Sequence, residues 1–237
     1  MKWWKCQWSH RFESYRLCFL KNDGLQNLFM YCILMKANSL EHKKINIALI
    51  GNCQTLSLHV YLHDLLKNKN YEIKWIRFGK HVLPGYLKII SHIYPDLISI
   101  TDDEEGIEYI KTCDYVIYQP ILIKTSCNFN ATKIKSYCSN TCTQISFISI
   151  YIDGDFNMGV YRLKQRELER GTTIKVTDIL EKHKDKKLLL RKNHPTTFLF
   201  LKLLEQICIH LNIDFFKNTD KYLITDNYTR LGLPPDF

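Results

Sequence analysis

A chain of 237 residues, 46% hydrophobic and 13% aromatic, is long enough to bury a sizeable core and too apolar to remain disordered. Its 33 Lys and Arg against 24 Asp and Glu leave a formal net charge of +9, which favours anionic partners such as phosphorylated cofactors, nucleic acid or a membrane surface. The lysines are scattered and no nucleic-acid module is recognisable, so a nucleic-acid partner is not expected, and no run reaches the ~18 apolar residues of a bilayer span.

Nine cysteines stand at irregular spacings without a CxxC pair, and Cys138 and Cys142 lack the second Cys or His pair of a zinc site. Structural thiols in a reducing compartment account for them, and no metal is expected. Lys21, Asn22 and Asp23 interrupt the apolar residues that a signal peptide would need, so a cytoplasmic protein is expected.

In chain order, residues 1–43 differ from the remainder of the chain. Trp3, Trp4 and Trp8 lie among Lys2, Lys5, His10 and Arg11, and a second apolar patch covers 28–35. This reads as an N-terminal extension that packs on the next domain or touches a membrane surface through residues 1–35. The polar stretch 38–44 then links it to a domain of residues 44–237.

An apolar, β-branched run at 45–50 predicts one buried strand. Gly51-Asn52-Cys53-Gln54 breaks it, and Leu58, Tyr61, Leu62 and Leu65 then recur at helical spacing. Cys53 therefore falls between a strand's carboxyl end and a helix's amino end, where open α/β sheets bind ligands and free N–H groups favour a thiolate. Burial of a small apolar thiol is the competing reading.

Further strands are predicted at 71–78, 114–118 and 143–152, with a short helix at 84–94 and a helix starting in the acidic run 102–105. Gln119-Pro120 closes the third strand. Between 161 and 187 the chain is charged, and Val176, Ile179 and Leu180 suggest a short helix. Leu188 to Leu190 approach a last strand, and Arg191-Lys192-Asn193-His194-Pro195-Thr196 lead into an apolar helix at 196–211, with Pro195 suited to its entry. Strands alternating with helices point to a parallel sheet with helices on both faces.

Loops at the carboxyl edge of such a sheet converge, so Cys53 and His194 can share a cleft as nucleophile and base. Gly51, Asn52, Gln54, Gln119 and Asn193 are candidates to donate to a developing oxyanion or to hold substrate. For His194 a capping or packing role is the alternative, and for Gln119 a structural one. The basic stretch Lys182, Lys184, Lys186, Lys187, Arg191 and Lys192 is solvated surface or a phosphate contact.

The ordered set of Gly51-Asn52-Cys53-Gln54, Gln119-Pro120 and Asn193-His194-Pro195-Thr196 resembles the capsular-polysaccharide biosynthesis proteins of the WcbI type over about 45–213. That family is similar in fold to the SGNH hydrolases, with Cys in place of the first-block Ser and an HP pair like the block that carries the catalytic His. The resemblance implies a three-layer, SGNH-hydrolase-like α/β domain and O-acyl (acetyl) transfer from coenzyme A to a hydroxyl of a polysaccharide or sugar precursor. It implies Cys53 as nucleophile and His194 as base; the positive charge suits the cofactor's phosphates, with Arg191 and Lys192 of the basic stretch as the candidates to contact them. Where SGNH enzymes usually carry an Asp three residues before the His, this chain has Arg191. The alternatives are a Cys-dependent carbohydrate esterase or deacetylase, and a non-catalytic binding module.

Overall fold

The computed structural model describes residues 43–67, 69–77, 97–120 and 128–215. The N-terminal extension with its membrane contact and the short helix expected at 84–94 lie outside these. The chain divides into two units, 1–43 and 44–237, and the second carries every described strand and helix.

Five parallel strands form its sheet: β1 (Ile45–Gly51), β2 (Tyr71–Arg77), β3 (Ile98–Ile100), β4 (Tyr115–Tyr118) and β5 (Thr143–Ser146), in the order β3-β2-β1-β4-β5. The chain steps outward from β1 to β3, then resumes on the other side of β1 with β4. Strand order thus reverses between β1 and β4, and the crevice beyond their carboxyl ends is where such sheets hold ligands.

Strand alternation decides which residues meet which layer. Ile47 and Leu49 of β1, Ile73 and Trp75 of β2 and Ile117 of β4 enter one core; Ala48, Ile50, Ile76, Val116 and Tyr118 enter the other. Burial on both faces explains the continuous apolar reading of β1. The first core is covered by α1 (Cys53–Leu66), α4 (Phe156–Arg170), α5 (Val176–Lys182) and α6 (Thr197–His210), the second by α2 (Asp103–Lys111) and α3 (Ala131–Tyr137). Each core side chain fully withdrawn from water contributes on the order of 1.5–3 kcal/mol before entropy is counted.

Side-chain caps set five of the six described helix starts: Asn52, Asp102, Asn130, Asp155 and Thr196 each accept a backbone N–H of the first turn. Lys175, ahead of α5, makes no such bond. Its place is taken by Glu167 of α4, whose buried carboxylate accepts the backbone N–H and hydroxyl of Thr177.

The structure departs from the sequence reading in five places. The strand expected to run to 152 leaves the ladder after Ser146, although Phe147, Ile148, Ile150 and Ile152 remain buried. Helices α3 and α4 and the short edge strand β3 were not anticipated by periodicity. Residues 189–195 form an antiparallel hairpin, β6 (Leu189–Arg191) with β7 (His194–Pro195). Pro195 therefore pairs in a strand, and Thr196 caps the helix.

Candidate functional site

Gly51 ends β1 and Cys53 is the first residue of α1, so the turn between them is very short. Such a tight passage requires glycine: a Cβ on Gly51 would sit 2.6 Å from Gln119 Oε1 and 2.7 Å from Thr55 Cγ2. Gln119 follows β4 directly. Its Oε1 accepts the Asn52 N–H at 3.1 Å, which ties the two strands across the point where strand order reverses.

Asn52 caps α1 through Oδ1, which accepts the Gln54 N–H at 2.9 Å, and its Nδ2 donates to Ser149 Oγ at 2.9 Å. The Gln54 side chain, 3% exposed, joins everything else. Its Nε2 donates to the carbonyls of Ile150 and Asn193, both at 2.8 Å. Its Oε1 accepts from the Ile150 N–H at 3.0 Å, Gln119 Nε2 at 3.3 Å and Ser149 Oγ at 3.4 Å. One amide thereby holds together the β1–α1 turn, the end of β4, the segment leaving β5 and the turn of the β6–β7 hairpin.

The early exit of β5 has its cause here. Beyond Ser146 the N–H groups of Ile150 and Ile152 find Gln54 and the Lys192 carbonyl (2.6 Å) instead of a ladder partner. The segment 147–153 becomes a wall of the site while its apolar side chains stay in the core. Ser149, a polar residue within the apolar run 145–152, was the sequence signal for this departure.

Cys53 and His194 each stand one residue from the Gln54–Asn193 hydrogen bond, so their loops meet at the carboxyl edge of the sheet. Cys53 is half-buried. Burial pushes its thiol up, and the backbone N–H groups of Cys53 and Gln54 pull it down with the smaller effect. The N-terminal lowering expected from the sequence is present but outweighed by desolvation. His194 is held below its ordinary value by burial first and by the positive charge of Arg191 second. Arg191 is its partner across the hairpin. At neutral pH the two groups are therefore a thiol and a neutral imidazole.

Of the expected oxyanion donors, Gln54 and Gln119 are buried with their amides engaged with each other and with the backbone. They position the turn. Gly51 serves by close approach. Asn52 is engaged as well, with Ser149 and with the Gln54 N–H, so of the expected set the Cys53 N–H and the exposed Asn193 of the hairpin turn remain as candidate donors. Lys192 pairs with Asp153 at 2.7 Å, and both side chains are largely exposed. Among the described residues no group of three His, Cys, Asp or Glu is arranged to hold a metal ion, and no helix is long and apolar enough to cross a membrane. No protein-family model matches the chain, and no curated protein matches it in sequence.

Proposed function

We propose that the domain is an SGNH-hydrolase-like O-acyltransferase of the WcbI type, moving an acyl group, most simply acetyl, from coenzyme A to a carbohydrate hydroxyl. The observation that carries this reading is the 2.8 Å bond from Gln54 Nε2 to the Asn193 carbonyl, which joins the Cys53 loop to the His194 loop at the strand-order reversal. A thiol and an imidazole carried on loops joined at that edge can act as nucleophile and base.

Coenzyme A supplies the acyl group as a thioester. In the first half-reaction Cys53 Sγ attacks the thioester carbonyl carbon while His194 takes the thiol proton. Collapse breaks the bond to the donor sulfur, which leaves with that proton, and Cys53 holds the acyl group. In the second, His194 accepts the proton of the sugar hydroxyl as its oxygen attacks the acyl carbon, and Cys53 departs as the thiol. One thioester replaces another in the first step, so it is nearly balanced, and ester formation then runs downhill.

The electrostatics favour general-base assistance over a resting thiolate, because burial raises Cys53 and keeps His194 neutral. Arg191 and Lys192 put positive charge beside His194, where a phosphorylated donor would enter. Lys192 would exchange Asp153 for phosphate, a small loss for an exposed pair. Calorimetry with coenzyme A on the whole protein tests the reading. Binding that weakens with salt and survives His194→Ala is expected. Absence of binding at low salt, with acyl release from sugar esters to water, would make the protein an esterase.

A further inference from the structure

The segment 150–153 has two sides. One is bonded to the site, through Ile150 to Gln54 and through Ile152 to Lys192. The other faces a cavity of about 380 Å³ between this segment and α4, within the size range of small-molecule sites. Tyr151, Asp153, Tyr161, Arg162, Gln165 and Arg166 line it. Gly159 forms part of the wall, because α4 lies so close to the segment that a Cβ there would sit 2.4 Å from Ile152 Cγ2.

Two features of this lining are unusual for a solvated helix face. Tyr151 and Tyr161 are 47% and 57% exposed, so two aromatic rings stand at the cavity with much of their surface in water. A tyrosine ring offers a flat apolar face to the C–H groups of a sugar ring and a hydroxyl at its rim. The planar amide and guanidinium groups of Gln165, Arg162 and Arg166 supply directional donors around them.

The second feature is charge. Among the described residues neither Arg162 nor Arg166 makes an ion pair. Of the two carboxylates at the cavity, Asp153 is matched by Lys192, which leaves Glu169 against both arginines. Arg170, one turn beyond Arg166, adds to the excess while its Nη1 donates to the Pro120 carbonyl. Burial and the neighbouring Arg170 lower the Arg166 guanidinium, and Glu169 offsets them only in part. A guanidinium so placed fits a carboxylate, which it can hold through two parallel hydrogen bonds.

We infer that this cavity is a saccharide subsite, in which Tyr151 and Tyr161 pack against sugar rings and Arg162 and Arg166 bind a carboxylate carried by the sugar. This deepens the transferase reading and rests on it only for the role of acceptor. The binding itself needs neither Cys53 nor coenzyme A. The cavity and the Cys53 turn share segment 150–153, since Tyr151 and Asp153 line the one and Ile150 bonds Gln54 of the other.

The test is calorimetry on the full chain with tetragalacturonate and a hyaluronan tetrasaccharide as acidic probes and maltotetraose as the neutral one. At least one acidic probe should bind about tenfold or more tighter than maltotetraose, as expected of one charge-assisted contact. Arg166→Gln should weaken that probe about ten- to a hundredfold. Tyr161→Ala, at a mostly exposed position where folding is not at stake, should weaken acidic and neutral probes alike. Coenzyme A affinity should change less than about twofold in both variants. Equal binding of all three probes, no binding of any, or acidic binding unaffected by both variants overturns the assignment. So does competition between the acidic probe and coenzyme A, which would make the cavity part of the donor site. Failure of the transferase reading would instead show as lost coenzyme A binding with sugar binding intact.

Discussion

Gln54 is the residue on which the site depends, because its amide joins four segments and its bonds to Ile150 and Gln119 are buried. Replacing it with Ala leaves the N–H and carbonyl of Ile150, the Asn193 carbonyl and Gln119 Nε2 without their partner. Each buried orphan costs about 1–3 kcal/mol, so urea unfolding should show a loss of at least about 3 kcal/mol. Gly51→Ala should also destabilise, by about 1–3 kcal/mol, through the clash with Gln119 and Thr55. Reactivity separates Cys53 from Cys142. Burial raises the Cys53 thiol, whereas a hydrogen bond from Cys138 lowers Cys142. Iodoacetamide near neutral pH should therefore label Cys142 before Cys53, as peptide mapping would read. The order expected from the helix terminus alone is the reverse.

At the scale of elements, legibility followed the width of the apolar signal. β1, β2, β4, α1 and α6 were legible because their buried faces are broad: α1 buries every residue from Gln54 to Leu62. Helix α4 was not, since its inward face consists of Gly159, Val160, Leu163 and the carboxylate-bearing Glu167. Two aliphatic side chains on that face make no periodic pattern. Glu167 lies in the stretch 161–187 that reads only as charged, and the fold reveals it as the cap of α5. The end of β5 was missed for a related reason: its residues stay apolar after the ladder stops, so hydrophobicity cannot mark the change of hydrogen-bond partner. The candidate site was legible as a set of loops, but the assignment of Gln54 and Gln119 as donors did not anticipate that their amides bond each other. Glu167→Ala should cost about 2–4 kcal/mol in thermal or urea unfolding, because it leaves two buried donors of Thr177 unpaired. Asp155→Ala, at an exposed cap, should cost about 1 kcal/mol.

For the molecule as a whole, pH acts through a buried imidazole away from the site. His59 is fully buried in α1, its Nε2–H donating to the Ile73 carbonyl at 3.2 Å, and burial lowers its pKa to about 3. In the unfolded chain it would titrate near 6.5. Below that pH the unfolded state binds a proton that the folded state refuses, so stability falls as pH drops from about 6.5 toward 3, by up to roughly 4 kcal/mol. Urea unfolding at about pH 7 and pH 4 should show this slope, and His59→Leu should flatten it. Activity should decline in the same direction for a different reason, since His194 acts only when neutral and its lowered pKa places the acidic limb below 6.5. Because stability and activity fall together in acid, the decisive observation is best made near neutral pH. Intact mass spectrometry after brief mixing with acetyl-coenzyme A reads the proposed chemistry at the thiol itself. A single added acetyl group is expected on the wild-type protein, mapped to Cys53, absent from Cys53→Ala, slower to form in His194→Ala, and discharged when an acceptor sugar is supplied. An acetyl group that persists in Cys53→Ala, or a wild-type protein that turns over sugar without ever carrying one, would rule out Cys53 as the acyl carrier.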